Sequence, residues 1–364
     1  MTLFRKHIKD ILNAFSGICP PLHYHITCRH FPKTLSLSVN EAEHYLHNIW
    51  PDKGQTCIHK NDILAEYDLH IIIPVYNTSE YIKECLDSIF RQQTDFSYFV
   101  SIINDGSTDN SSEIISNYLS SQETQQFYER IEVIEQSNQG PSAARNAALN
   151  NIRGRYLMFV DSDDMLLPGC IDSLMNAAIN YNADIAEGNF NCGPTYGCAC
   201  GKVYRSELFR NVHFPPGYWF EDTINIFFLY PMSRKTVQVN GLHYYYRNNE
   251  SSIMHSFQKK SRAIDSLWVS RSVLSDYFSQ GHNATPQLFH NYLQDIRSTA
   301  THLHTLNDEK VMQAMFVIHR EVSAIYFRDF LKDQKCPKPL NTRLYYIASS
   351  LSENNYRKFR AATL

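Results

Sequence analysis

Between Leu69 and Asp161 the sequence alternates short apolar segments with helical ones. The apolar segments are rich in Ile, Val, Phe and Tyr, as strands are: LHIIIPV, FVSIIND, IEVIEQ and YLMFVD. The intervening segments have helical spacing and a Ser or Thr near their starts: SEYIKECLDSIFRQQ, STDNSSEIISNYLSS and PSAARNAALNNI. This order predicts β-α-β units and a largely parallel sheet.

Polar side chains follow three of these predicted strands. Tyr76 and Asn77 follow the first strand, Asp105 follows the second, and residues 161–164, DSDD, follow the fourth. In parallel sheets, ligands bind beyond the carboxyl ends of the strands. We therefore expect these residues to form one site.

The DSDD stretch concentrates negative charge where a buried strand leaves the core. Carboxylate oxygens suit Mg²⁺ or Mn²⁺, which are often shared with substrate phosphates. Alternatively, Asp161 and Asp163 cap a turn before a helix at Pro168. The stretch alone does not decide between these two interpretations.

Three further residues have side chains suited to a nucleotide. The Tyr76 ring can stack on a base, and the Asp105 carboxylate can accept a hydrogen bond from N3–H of uracil. Arg145 lies near the start of a predicted helix, a position that favours an anion. Taken singly, each has an ordinary alternative: a packed tyrosine, an Asx-turn and a surface arginine.

Together the motifs PVYN, NDGSTD, GPSAARN and DSDD, in this order, resemble the inverting family 2 glycosyltransferases of the GT-A fold. The resemblance is close over residues 68–190 and is to bacterial members that build surface polysaccharides. Further along the chain, GKVYRSELF, FEDT and YYYRNNESSIMHS look like the acceptor half of such enzymes. The resemblance implies an α/β, Rossmann-like domain with a mostly parallel sheet flanked by helices.

The resemblance also implies roles for individual residues. Asp163 is implied as a ligand of Mn²⁺ or Mg²⁺, and Asp222 of FEDT as the catalytic base. His255 is implied as a further metal ligand, in a segment with Arg247 that resembles a loop closing over the donor diphosphate. From the residues alone, an acidic pair at a helix N-terminus and a packed histidine remain possible. The implied nucleotide-sugar site consists of Pro74, Tyr76, Asn77, Asp105, Arg145, Asp161 and Ser162.

The predicted activity is metal-dependent, inverting transfer of one sugar from a UDP-sugar to a hydroxyl of a glycan or lipid-linked oligosaccharide. No Trp follows an Arg, so the Q-x-x-R-W motif of processive synthases is missing. Two alternatives stay open. A sugar nucleotidyltransferase usually has a Gly-rich loop after its first strand, where this chain has PVYN. A catalytically silent nucleotide-sugar-binding or scaffold protein would keep the motifs without turnover.

We predict a GT-A domain at residues 67–257, a partly helical extension at 1–66 and a helical region at 258–364. The net charge of −3 does not indicate a nucleic-acid partner. The nine cysteines lack paired C-x-x-C spacing, which favours reduced thiols in a cytoplasmic protein over a zinc site.

No segment approaches the ~20 apolar residues of a membrane span. Residues 1–18 are predicted to form an amphipathic helix, which would dock on the protein itself or lie on a membrane surface. We therefore expect a cytoplasmic location, with peripheral contact at the inner face of the cell membrane as one possibility.

Overall fold

The computed structural model describes residues 28–122, 124–249, 259–333 and 342–363. The helix predicted at residues 1–18 and the predicted metal ligand His255 lie outside these ranges. The chain divides into two compact units, Gly54–Ser252 and a second unit made of Met1–Lys53 with Ile253–Leu364. The three-part division predicted from the sequence stays a prediction.

The unit Gly54–Ser252 contains a seven-stranded sheet in the order β10-β6-β9-β4-β1-β2-β3. Strands β1 to β4 and β6 with β10 pair in parallel, whereas β9 runs antiparallel to both of its neighbours, β4 and β6. The sheet is therefore mostly parallel, as predicted. Its strands are β1 Asp62–Val75, β2 Tyr98–Asn104, β3 Ile131–Glu135, β4 Asn151–Phe159, β6 Ile185–Glu187, β9 Lys202–Arg205 and β10 Thr236–Gln238.

The central strands form because their side chains are buried on both faces of the sheet. Every residue of β2 is buried, and so is nearly all of the second half of β1. Such continuous apolar runs are typical of parallel strands that helices cover on both sides. The helices of this unit are Ile82–Phe90, Ser111–Leu119, Pro141–Leu149, Cys170–Asn180 and Tyr230–Met232, the last preceded by a π-helical turn at Asn225–Leu229.

A smaller four-stranded sheet in the order β5-β11-β7-β8 extends this unit. Its strands are short: β5 Met165–Leu166, β7 Asn189–Phe190, β8 Gly193–Pro194 and β11 Tyr244–Tyr245. Because β11 pairs antiparallel with β5, residues 244–249 return to the acidic stretch that follows β4. This pairing positions one wall of the site described below.

The second unit is helical, which confirms the predicted helical C-terminal region. Helix Val39–Ile49 begins at a capping box formed by Ser38 and Glu41, and the Tyr45 hydroxyl donates to Asp308 Oδ2 at 2.6 Å. None of the described helices has the length and apolar character that a membrane crossing requires. The other helices of this unit are Asp265–Ser279, Pro286–His304, Glu309–Tyr326, Arg328–Asp333, Thr342–Ser352 and Tyr356–Thr363.

Candidate active site

The turns that follow β1, β2 and β4 are joined by hydrogen bonds. Asn77 Oδ1 accepts from the Thr108 backbone N–H at 2.7 Å, and the Asn77 N–H donates to Ser107 Oγ at 3.1 Å. Thr78 Oγ1 in turn donates to Ser162 Oγ at 3.1 Å. The structure therefore brings the turns that contain Asn77 and Ser162 together at the carboxyl edge of the sheet, as the strand order predicts.

Two residues of the predicted nucleotide-sugar site, Pro74 and Tyr76, lie at the end of β1 and differ in exposure. The Tyr76 side chain is 47% exposed, directly beyond Val75 at the end of β1, whereas Pro74 lies in the strand opposite Ile103. An exposed ring at a strand end suits stacking on a base. The stacking itself stays a prediction.

Asp105 is buried and already accepts three hydrogen bonds from the protein. Gln136 Nε2 and the Gln139 N–H donate to its Oδ1 at 2.7 and 2.9 Å, and the Gly140 N–H donates to Oδ2 at 2.7 Å. The carboxylate thus holds the loop that leads into the helix Pro141–Leu149. A carboxylate has about four acceptor positions, so the predicted contact with uracil N3–H stays a prediction.

Gly106 cannot be replaced without moving this loop. Its φ is +71°, and an added Cβ would lie 2.8 Å from the Asn138 backbone nitrogen. We expect Gly106→Ala to lower the free energy of unfolding by about 1–3 kcal/mol more than Gly54→Ala does, measured by urea denaturation. Gly54 is the matched control because its φ of +61° is similar but no atom lies within 4 Å of the added Cβ. Equal losses in the two variants would show that the close approach to Asn138 costs nothing.

Arg145 connects the two acidic motifs of the site. Its Nη2 contacts Asp161 Oδ1 at 2.8 Å, and its Nη1 contacts Glu221 Oε1 at 2.7 Å. The arginine side chain is only 5% exposed, and its guanidinium carbon lies 5.3 Å from the centre of the Phe214 ring. A buried guanidinium paired on both sides holds the ends of two distant segments in fixed register. Its predicted contact with the nucleotide stays a prediction.

One carboxylate oxygen of Asp222, Oδ1, is buried. Its Oδ1 has no hydrogen-bond partner in the ranges that the structure describes. Burial, followed by the negative charge of Glu221, raises the pKa of Asp222 to about 7. A carboxyl group with a pKa near neutrality is suited to taking a proton from a hydroxyl.

Asp161, Asp164 and Cys200 each offer one ligand atom within 4.8 Å of the others. Asp164 accepts from the Arg247 N–H at 2.8 Å through Oδ1, whereas its Oδ2 is buried and accepts no hydrogen bond from a described residue. Burial and the charge of Asp161 raise the pKa of Asp164. Two close carboxylates, one with an unpaired oxygen, fit a hard divalent cation such as Mg²⁺ or Mn²⁺.

Asp163, the metal ligand predicted from the sequence, is not part of this trio. Its Oδ2 accepts from Asn249 Nδ2 at 2.9 Å, and its backbone oxygen accepts from Arg247 Nε at 2.8 Å. Burial raises the pKa of Asp163. Its role as a ligand stays a prediction. Cys200 is a free, buried thiol whose Sγ lies 3.5 Å from Asp161 Oδ2.

The model of the family described as "Glycosyl transferase family 2" matches residues 70–233. These residues form a family 2 glycosyltransferase domain. The match contains the motifs PVYN, NDGSTD, GPSAARN, DSDD and FEDT, and it ends before Arg247. Together with the sheet order, it confirms the predicted family and its GT-A fold for this domain.

Two curated glycosyltransferases are similar in sequence to this chain. The chain is similar to glycosyltransferase GlyA of Streptococcus pneumoniae serotype 4, with 32% identity over 54% of this chain and 33% of GlyA. Glycosyltransferase GlyG of the same organism is 28% identical over 66% of this chain and 91% of GlyG. The chain therefore spans about a third of GlyA and most of GlyG. Among solved structures, S. aureus TarS 1-349 in complex with UDP-GlcNAc is 18% identical, with a TM-score of 0.49 over 80% of this chain and 89% of that one.

Sequence reasoning missed three contributors to the family 2 domain's site. Asp164 was signalled by its place in DSDD but was assigned no role. Tyr244, whose hydroxyl accepts from the Asp161 N–H at 3.0 Å, and Asn249 lie in the motif YYYRNNESSIMHS but were assigned no role, because they reach the site only through the pairing of β11 with β5.

Proposed function

We propose that the chain is a metal-dependent, inverting glycosyltransferase that moves a single sugar from a UDP-sugar to a hydroxyl of a glycan or lipid-linked oligosaccharide. The product belongs to a bacterial surface polysaccharide such as capsule, lipopolysaccharide or exopolysaccharide. The domain's family supports sugar transfer, whereas the donor, the ion and the stereochemistry are parts of the proposal.

The observation that carries the proposal is the buried Oδ1 of Asp222, which accepts no hydrogen bond from a described residue and lies beside the Arg145–Glu221 ion pair. A carboxylate held there with a raised pKa can remove the acceptor's proton as the hydroxyl oxygen attacks the anomeric carbon. Attack from the face opposite to the leaving diphosphate inverts the anomeric configuration. Glu221 keeps its own charge occupied with Arg145, so that Asp222 is the carboxylate left to act.

The donor half of the proposal uses the strand ends. Tyr76 stacks on the base, Asp105 faces the uracil edge, and the segment of Asp161 to Asp164 faces the diphosphate. A divalent ion, when bound, stabilises the negative charge that grows on the leaving diphosphate. Asp161 and Asp164, with Asp163 as predicted, are the residues that would hold Mn²⁺ or Mg²⁺.

The proposed acceptor follows from two further relatives. The poly(ribitol-phosphate) beta-glucosyltransferase of Bacillus spizizenii is 36% identical over 33% of this chain and 18% of that protein. The minor teichoic acid biosynthesis protein GgaB of Bacillus subtilis is 32% identical over 32% of this chain and 12% of GgaB. These names support an acceptor in a cell-surface polymer, and a cytoplasmic enzyme at the inner face of the membrane would meet both substrates.

The deciding experiment measures UDP release from a panel of UDP-sugars with Mn²⁺, with and without glycan acceptors. Release with one donor would establish the transferase and name its sugar. No release with any UDP-, GDP- or TDP-sugar, in Mn²⁺ or Mg²⁺, would refute the proposal. Measured donor binding without turnover would then assign the silent nucleotide-sugar-binding role. Pyrophosphate release from UTP and a sugar 1-phosphate would assign a nucleotidyltransferase.

Removal of the metal tests the carboxylates proposed to hold it. After treatment with a chelator, we expect UDP release to stop and to return on addition of Mn²⁺. Asp164→Asn should raise the Mn²⁺ concentration needed for half-maximal release by about tenfold or more, because it removes a charged oxygen ligand. Asp62→Asn, at the exposed start of β1, is the control. Full activity in the chelator would contradict the metal requirement, and an unchanged Mn²⁺ requirement in Asp164→Asn would exclude that residue.

The pH dependence tests Asp222. The base works only when deprotonated, so kcat/KM should rise with pH through the raised pKa of Asp222, near 7, and level off above it. Glu221→Gln should move this rise to lower pH, since it removes a negative charge that raises the pKa. Glu113→Gln, on an exposed position of the helix Ser111–Leu119, should leave the profile unchanged. A rise near pH 4 in the wild type would contradict Asp222 as the base.

A further inference from the structure

Tyr196 presents an exposed aromatic ring on the loop between β8 and β9. Its side chain is 49% exposed, and its ring is stacked on Tyr230, with the ring centres 4.8 Å apart and the planes at 19°. Stacked aromatic pairs in this distance range attract one another beyond the burial of their area. The pair therefore packs Tyr196 against Tyr230 and leaves about half of Tyr196 exposed.

A buried ion pair fixes the Tyr230 ring of this stack. Lys202 Nζ contacts Glu187 Oε1 at 2.8 Å, the Tyr230 hydroxyl at 2.7 Å and the Thr195 backbone oxygen at 2.6 Å. The Tyr230 hydroxyl also contacts Glu187. Since Lys202 is fully buried, both Tyr230 and the residue that precedes Tyr196 are held by one rigid network. A ring held in this way loses little conformational entropy when a ligand binds.

The same loop is attached to the proposed base. Asn225 Nδ2 donates to the Gly197 backbone oxygen at 3.3 Å and to the Asp222 backbone oxygen at 3.1 Å. The backbone N–H of Ala199 also donates to the Asp222 carboxylate, which offsets part of the rise in its pKa. Tyr196 thus lies on a loop that is linked to Asp222 in two ways: Asn225 bridges Gly197 to the Asp222 backbone, and the Ala199 N–H donates to the Asp222 carboxylate.

The side chains of this loop indicate which class of ligand it can bind. Residues 189–201, NFNCGPTYGCACG, contain no charged side chain, and the Lys202 that follows them is fully buried. The loop therefore has no exposed cation to hold a phosphate. The electron-rich face of an aromatic ring attracts the polarised C–H groups on one face of a pyranose, and nearby carboxylates accept hydrogen bonds from sugar hydroxyls.

We propose that the exposed face of Tyr196 is the platform on which a neutral pyranose of the acceptor stacks, next to Asp222. The role of this sugar as an acceptor rests on the proposed function, whereas the binding of a sugar at Tyr196 does not. It assigns Tyr196 to acceptor recognition and leaves donor binding to the strand ends. The expected consequence is that changes at Tyr196 act on the acceptor KM and spare donor binding.

The test measures the binding of three probes by saturation-transfer NMR in the presence of UDP and Mg²⁺, which is diamagnetic: methyl β-D-glucopyranoside, methyl β-D-galactopyranoside and methyl N-acetyl-β-D-glucosaminide. We expect saturation transfer to the ring C–H protons of at least one probe. Tyr196→Ala should weaken that binding by about tenfold, whereas Tyr196→Phe should keep it within about twofold. Tyr181→Ala is the matched control, because Tyr181 is 59% exposed and follows the helix Cys170–Asn180 at another place on this unit.

Several outcomes would overturn the proposal. They are no saturation transfer from any probe to the wild type, equal binding by Tyr196→Ala, and an equal loss in Tyr181→Ala. Acceptor-independent UDP release, measured in parallel on all variants, separates this proposal from the proposed function. Absence of UDP release from the wild type, both with and without glycan acceptors, would refute the transferase while leaving the sugar platform intact. Loss of acceptor-independent release in Tyr196→Ala alone would assign Tyr196 to the donor and overturn the platform.

Discussion

Asp222→Asn is expected to lower the turnover of the transfer reaction by roughly 10²- to 10⁴-fold, the usual contribution of a general base. The asparagine keeps the shape of the side chain but cannot take the acceptor's proton. Donor binding with Mn²⁺, measured by titration calorimetry, should change by less than about twofold. The proposed base touches the acceptor and not the nucleotide, so the loss should appear in kcat and not in donor affinity.

The control for this variant is Asp95→Asn, at an exposed position of the same unit. The melting temperature of Asp222→Asn at pH 8 should not fall, because burial disfavours the charged form of Asp222 and asparagine carries no charge. Transfer at the wild-type rate by Asp222→Asn would remove Asp222 as the base. A loss of donor binding that matches the loss of turnover would assign the residue to the donor instead.

Arg145→Met is expected to lower the free energy of unfolding by about 3–5 kcal/mol, measured by urea denaturation. The methionine fills much of the volume, but it leaves Glu221 buried without its cation and Asp161 without one of its contacts. Breaking one side of a buried ion pair costs far more than the pair itself contributes, since the remaining charge has lost its water.

Arg91→Met provides the comparison, because Arg91 pairs with Asp87 but its side chain is 70% exposed. That variant should change the free energy of unfolding by less than about 1 kcal/mol. Similar losses in the two variants would show that the buried position of Arg145 adds nothing. A second comparison, Arg145→Lys, should also destabilise, since a lysine cannot contact two carboxylates with a planar fork.

The sequence predicted the parallel half of the sheet because its signals are local. Strands such as Tyr98–Asn104 are buried on both faces and read as unbroken apolar runs. β1 begins at Asp62 and not at Leu69. The sequence did not predict this earlier start, because residues 62–67 alternate in exposure and lack an unbroken apolar run. The antiparallel strand Lys202–Arg205 could not be predicted from its composition: its first residue is a lysine, and it is buried only because Glu187 and Tyr230 surround it.

The residues of the candidate site also differ in how far the sequence could predict them. Residues that follow a strand directly, such as Tyr76 and Asp161, were found from local sequence. Their partners were not, since Arg145 meets Glu221 across 76 positions and such pairing depends on the folded chain. Asp105 is an example. Its position at the end of β2 could be predicted from the sequence, but the three hydrogen bonds that its carboxylate accepts could not.

The ion pair of Arg145 with Glu221 has a consequence for how chains of this type diversify. The strand-end residues proposed for the donor, with Arg145, lie between positions 74 and 164, whereas the proposed base and the sugar platform lie between 196 and 222. Arg145 is a side chain from the first stretch that bonds directly to the second. We therefore expect that each stretch can be exchanged between related chains separately from the other. A chimera that takes residues 189–233 from a relative should acquire that relative's acceptor and keep its own donor, provided that an acidic residue still meets Arg145.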